Sequence, residues 1–251
     1  MPLTFVLQCI NALLVGTAAV LCLRVRAPQN AHHHFAWWIT GVTFLWHALS
    51  DAAQNVYGAM AIHGGEHSAT WAAYMRADPV MNHGRTFLVY GLLLVLTFMA
   101  AYRRELDGRF RLGSLAVLCV GLAVGSAVGW YEGPFATDRH YSAVAAWDVV
   151  ELVALMIALF ALLVSNRADR LLWGFLTIYG IALALSAFWF SVFAKFDLGG
   201  WEPPTWTMPA ERILFDCLML GFVVRRLMMQ RRGRSPEGML GRPIARLSTL
   251  H

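Results

Sequence analysis

The densest run of chemically capable side chains is Trp46-His47-Ala48-Leu49-Ser50-Asp51-Ala52-Ala53-Gln54-Asn55-Val56-Tyr57-Gly58. His47, Asp51, Gln54, Asn55 and Gly58 recur at i, i+4, i+7, i+8 and i+11, which places them on one face of a helix. The sequence around them is apolar enough for lipid, and lipid has no water to satisfy a polar stripe. Such a stripe must turn toward the interior of a helix bundle or toward a wet cavity. An imidazole one turn from a carboxylate can hold and pass a proton, with Asp51 as acid or base and His47 tuning it.

Other stretches carry matching groups. Asp148 and Glu151 stand at i, i+3 and are spaced to share one proton. Arg212 and Asp216 stand at i, i+4 with Glu211 beside them, a spacing that predicts an ion pair within one helix. Gln8 and Asn11 form a further pair, Trp130-Tyr131-Glu132 close one apolar stretch, and Arg85 and Tyr90 open another. Trp46, Trp147, Tyr179 and Trp189 lie deep in apolar stretches, where they can line a pocket for an apolar or cationic ligand. The expected site therefore has Asp51, His47, Asp148, Glu151 and Asp216 as its acid–base groups. Gln54, Asn55, Trp46, Trp147, Tyr179, Trp189, Tyr90 and Arg212 are its expected ligand contacts.

The remaining histidines read differently. His63 and His67 flank Gly64-Gly65-Glu66, a turn rather than a helical metal pair, and His83 and His140 fall in other outward segments. Although His and Glu can bind zinc or copper, no metal site is expected. A haem would need axial ligands inside the bundle, and only His47 qualifies, so no cofactor is expected. The run His32-His33-His34 reads as an interfacial cluster.

The elements that must position these groups follow from composition. The chain has 251 residues, 58% hydrophobic and 14% charged, with a mean hydropathy of +0.54. A soluble domain carries roughly a quarter charged residues, and a charge in mid-bilayer costs a few kcal/mol or more. Spanning helices need roughly 20 apolar residues. Seven such stretches occur, at about 3–23, 35–62, 86–102, 113–131, 143–165, 172–194 and 209–229. They predict an all-α seven-helix transmembrane domain over 1–230, followed by a basic tail over 231–251. The third stretch is short, with a start that extends back toward Asn82, and a long outer loop precedes it.

Charge fixes the orientation. Of the 20 positive residues, fifteen arginines fall in 24–34, 103–112, 166–171 and the tail after Val224; the exceptions are Arg76, Arg85, Arg139, Lys195 and Arg212. The positive-inside rule puts the arginine-rich set in the cytoplasm, the N-terminus outside and the C-terminus inside. Nearly all the polar groups named above then lie in the outer half of the membrane, and the inner half reads as almost purely apolar. The sequence pI of about 9.3 reflects a basic cytoplasmic face set against anionic lipid, and no nucleic-acid motif is present. Trp37, Trp38, Trp71, Trp201 and Trp206 sit near predicted interfaces and read as an aromatic belt. The four cysteines, Cys9, Cys22, Cys119 and Cys217, read as small apolar core residues. No cleaved leader is expected, because Arg24 and Arg26 follow the first apolar segment.

Seven helices of this length, with an outer N-terminus, Gly64-Gly65-Glu66 after the second and Arg85 opening the third, resemble the microbial rhodopsin plan. That resemblance implies a retinal-binding lysine in the seventh helix, and Arg212 to Gly221 contains none. Lys195 lies at the outer end of the sixth, so a retinal pigment is excluded. The plan is also similar to small membrane-bound terpene cyclases, which implies carboxylate acids beside an aromatic-lined pocket, supplied here by Asp51, Asp148, Glu151 and Asp216. It looks like the seven-helix input modules of bacterial sensors as well, which implies a partner carrying the output.

Two readings stand level. One is an enzyme of the inner membrane acting on a lipophilic, isoprenoid-like small molecule by acid–base chemistry. The other is a non-catalytic receptor, or a subunit with a membrane or cytoplasmic protein partner. A transporter ranks below both, because no second polar cluster, inverted repeat or pair of broken helices completes a path. Gly121-x-x-x-Gly125-x-x-x-Gly129 offers a close-packing face that serves within a bundle as readily as between protomers.

Overall fold

The computed structural model describes residues 3–27, 30–65, 67–102, 106–132, 169–195 and 207–232, the side chains of 100–102, 132, 183–184, 186–195 and 208 apart. Among the described residues the protein is helical, with no strand: α1 (Leu3–Leu23), α2 (Ala31–Gly64), α3 (Ala69–Tyr102), α4 (Gly108–Glu132), α5 (Arg170–Lys195) and α6 (Thr207–Arg231). Three of these, Leu3–Leu23, Ala69–Met99 and Gly108–Tyr131, are long and apolar enough to cross a membrane, which marks a membrane protein. The fifth expected stretch, 143–165, lies outside the described residues, as does the tail beyond Arg232.

Two elements differ from expectation. The third helix begins at Ala69 rather than near 86, so only four residues, 65–68, stand where a long loop was expected. Its first turns are polar, and Pro79 sits inside it, features that depress hydropathy without breaking the helix. Asn30 caps α2, its side chain accepting from the backbone N–H of His33 at 3.1 Å. Helix α2 therefore starts four residues ahead of the expected 35. At its other end Gly65 takes a φ of 81°, a left-handed value that glycine adopts without a Cβ penalty.

Cross-contacts give the helix directions. Asn11 Nδ2 donates to Pro209 O at 3.2 Å and Arg26 N–H donates to Gln230 Oε1 at 2.7 Å, so α1 and α6 run parallel. Gly16 faces Ala48 while Gly41 faces Leu23 and Ala19, so α2 is antiparallel to α1. Ring contacts pair Trp37 and Phe44 with Phe175, and His47 with Tyr179. Helices α2 and α5 are therefore parallel.

The glycine face expected from the sequence packs inside the chain. A Cβ on Gly121, Gly125 or Gly129 would stand 2.6, 2.3 or 2.3 Å from the carbonyl oxygens of Phe87, His83 and Pro79. Those three residues share the same four-residue stride on α3. The two backbones thus touch over two turns, a contact open only to small residues. The apolar core around this frame is built on Phe44, Phe175, Trp37, Ile39 and Leu92, all fully buried.

Candidate functional site

Helices α2 and α3 meet along two polar faces that run in opposite directions. On α2 the stride is His47, Asp51, Gln54, Gly58. On α3 it is Tyr74, Asp78, Asn82, Arg85. Arg85 Nη1 pairs with Asp51 Oδ1, Gln54 Nε2 donates to Asp78 Oδ1, and Gly58 lets the Tyr74 ring come within 3.2 Å of where a Cβ would stand. Along α3 itself Asn82 Nδ2 donates to Asp78 Oδ2 at 3.1 Å, and Arg85 Nη2 donates to Asn82 Oδ1. Each polar face satisfies the other, as a bundle interior requires.

The chain of contacts continues onto α5 and α6. Asp51 Oδ2 lies 3.2 Å from His47 Nε2 and 3.8 Å from Arg212 Nη2. Arg212 Nη2 is also 3.0 Å from His47 Nε2, and the other ring nitrogen, Nδ1, faces the Tyr179 hydroxyl at 3.4 Å. Nε2 cannot donate to Asp51 and accept from Arg212 at once, so the imidazole tautomer selects one of two arrangements. Below it Phe44 stacks on the imidazole at 6.0 Å and meets Tyr179 edge-on at 4.9 Å. His47 and Arg85 are buried, while the Arg212 side chain is about one-third exposed, at 34%.

The ion pair expected between Arg212 and Asp216 does not form. Arg212 reaches across to His47 and Asp51 on α2 instead, because the neighbouring helix offers two acceptors there. Asp216 is buried, and its Oδ2 has no hydrogen-bond partner among the described residues. Asn11 Oδ1 on α1 is in the same position.

Of the residues singled out by sequence, the structure gathers His47, Asp51, Tyr179 and Arg212 into one cluster. Gln54 stands one turn away on Asp78, and Asn55 is half-buried on the flank. Tyr90 packs on Phe87 of its own helix, ring centroids 5.7 Å apart. Trp46 is 48% exposed and points out of the bundle, because the stride that buries His47 turns its neighbour through 100°. Trp147, Asp148, Glu151 and His140 lie outside the described residues, and the Trp189 side chain is not described. His63 and His67 are exposed, and no group of three or more metal-binding side chains occurs among the described residues.

Sequence reasoning missed Tyr74 and Asp78 and gave Arg85 no role. The signal was their four-residue stride, hidden by the polar, proline-containing stretch read as loop.

A second buried cluster lies at the opposite end. Asp169 caps α5, its Oδ1 accepting from the N–H groups of Leu171 and Leu172 at 3.0 and 3.4 Å. Its Oδ2 accepts from Trp37 Nε1 at 2.8 Å and Arg226 Nε at 3.1 Å. The end read as almost purely apolar therefore holds a buried ion pair, and Trp37 is fully buried rather than part of an interfacial belt.

Compared with protein-family models, curated proteins and solved structures, the chain matches none.

Proposed function

We propose that this is a seven-span protein of the cytoplasmic membrane, N-terminus outside and C-terminus inside, whose outer cluster performs acid–base chemistry on a lipophilic, isoprenoid-like substrate. The topology is supported by the segregation of arginines and by helix direction. Helix α4 is antiparallel to α3, which is antiparallel to α2, and α5 is parallel to α2. Glu132 and Arg170 consequently stand at opposite ends of the bundle, as one further crossing between them would leave them.

The observation that carries the catalytic reading is the line Asp51–His47–Tyr179, with the two imidazole nitrogens at 3.2 Å and 3.4 Å from their partners. A carboxylate, an imidazole and a hydroxyl in that order form a relay in which the third group orients the base. With Nε2–H donated to Asp51, Nδ1 is the acceptor. A proton taken from the substrate passes through the Tyr179 hydroxyl to Nδ1, and Asp51 stabilises the imidazolium that results. In this reading Asp51 is the orienting group and His47 the base, which exchanges the roles expected from sequence, where Asp51 is acid or base and His47 tunes it. Phe44, edge-on to Tyr179, supplies an apolar wall.

Turnover of a panel of isoprenoid substrates by the protein in lipid, followed by mass spectrometry of products, tests this. Tyr179→Phe and Asp51→Asn are expected to cut turnover by about 10²–10⁴-fold. Full activity in both variants rejects the relay.

A second reading, a receptor or subunit of a larger membrane complex, rests on a different observation. Asp51 faces two guanidinium groups, Arg85 and Arg212, an arrangement that ties three helices together without any chemistry. Under that reading the protein co-purifies in mild detergent with a membrane or cytoplasmic partner.

A further inference from the structure

Away from the Asp51 cluster, a groove of about 720 Å³ is lined by residues of α3 and α4 at their arginine-rich end. Leu94, Val95, Phe98 and Val117 line it together with the buried Ser114, and Asp107 and Arg109 are its exposed polar lining residues. The volume falls in the range of small-molecule sites. Its chemistry is graded: hydrocarbon and aromatic surface along the helices and, among the described lining residues, one carboxylate and one guanidinium.

The two charges are differently engaged. Asp107 Oδ1 accepts from Phe110 N–H at 2.7 Å, capping α4, which leaves Oδ2 open to a donor. Arg109 is exposed and makes no hydrogen bond or ion pair among the described residues. The floor is set, because Phe110 stacks on Phe98 at 6.1 Å and meets Phe35 edge-on at 6.2 Å. Ser114 donates to Phe110 O at 2.9 Å, which ties its side chain to its own helix.

We propose that this groove binds a zwitterionic aminophospholipid of the adjoining leaflet. Arg109 holds the phosphate, Asp107 Oδ2 accepts from the primary ammonium, and the acyl chains lie along Leu94, Phe98 and Val117. One anionic and one cationic side chain match a headgroup carrying both charges. A purely anionic headgroup meets Asp107 unfavourably, and a quaternary ammonium has no N–H to give. The proposal rests on the chain being a membrane protein and is independent of the acid–base reading of the Asp51 cluster.

Native mass spectrometry of the delipidated full chain tests it, with phosphatidylethanolamine, phosphatidylcholine and phosphatidylglycerol of identical acyl chains, and inorganic phosphate as the headgroup control. Retention of the ethanolamine lipid is expected to exceed that of the other two by about three- to five-fold, the scale of a partly exposed ion pair. D107N keeps the capping oxygen while removing the charge, so it is expected to fold normally and to abolish that preference. R109Q is expected to weaken all three lipids together. Gly113 borders the groove with no atom within 4 Å of a Cβ, so Gly113→Leu fills the space without a backbone clash and is expected to reduce every lipid adduct. Equal retention of the three lipids, an unchanged preference in D107N, undiminished adducts in Gly113→Leu, or phosphate alone binding as well as lipid would each overturn the assignment.

Discussion

Asp169 and Asp51 are carboxylates held inside one bundle and satisfied in opposite ways. Asp169 is closed: four donors, two from the backbone of α5, one from Trp37 and one from Arg226, meet its two oxygens. The carboxylate also sits at a helix N-terminus, where the dipole favours it. Both oxygens of that carboxylate are thus engaged, each by two donors. Asp51 is open. It shares Arg212 with His47, Arg212 is partly exposed, and the imidazole between them has two incompatible offers at one nitrogen. A closed cluster is a clamp, and an open one can change state. Burial alone does not separate the two; the count of donors against acceptor sites does.

That contrast breaks if the two ends respond alike to substitution. The largest effect is expected for Asp169→Ala, which uncaps α5, strands the buried Arg226 and removes the Trp37 partner. A loss of about 3–5 kcal/mol is expected, read as a drop in unfolding midpoint in mixed micelles. Asp51→Asn retains a hydrogen-bonding group facing Arg85, so a loss nearer to about 1–3 kcal/mol is expected in the same assay. A larger loss than for Asp169→Ala would make the Asp51 cluster the main clamp. Trp37→Phe removes a single donor from Asp169 and is expected to cost about 1–2 kcal/mol. The sharpest contrast comes from Tyr179→Phe, since the hydroxyl contact is long. Stability is expected to change by no more than about 0.5–1 kcal/mol while turnover collapses. A destabilised but active variant would reverse the assignment of function and structure between the two regions.

The α2 stripe was legible because four polar residues and a glycine at helical spacing interrupt an apolar background, and lipid permits one orientation for them. The glycine stride of α4 was legible as a packing face, and the structure supplies its partner, α3. The opposing face of α3 was hidden by its own content. Asp78, Asn82 and Arg85 lower the hydropathy of the stretch that carries them, and Pro79 reads as a breaker. The i, i+4 spacing of Arg212 and Asp216 misled, since local spacing says nothing about better acceptors on another helix. Trp37, Asp169 and Arg226 were unreadable as a group. Each has an ordinary interfacial explanation, and only the parallel packing of α2 and α5, with α6 antiparallel to both, brings them together. Much of the expected acid set, Asp148 and Glu151, lies outside the described residues, so the cluster rests on the residues of α2, α3, α5 and α6.

The zipper of α2 against α3 also bears on how the chain enters the bilayer. Under the seven-span proposal α2 must cross with its polar face covered, and it is absent from the three helices that are long and apolar enough by themselves. During synthesis α2 emerges first and would have to wait at the lateral gate of the insertion machinery until Asp78, Asn82 and Arg85 arrive, the pair then partitioning into lipid as one hairpin. The connection at 65–68 is short enough for that handover. Arg85 would thereby be an element of biogenesis, and its removal would show first as α2 stalled or mis-threaded in nascent chains, before any effect on the mature protein.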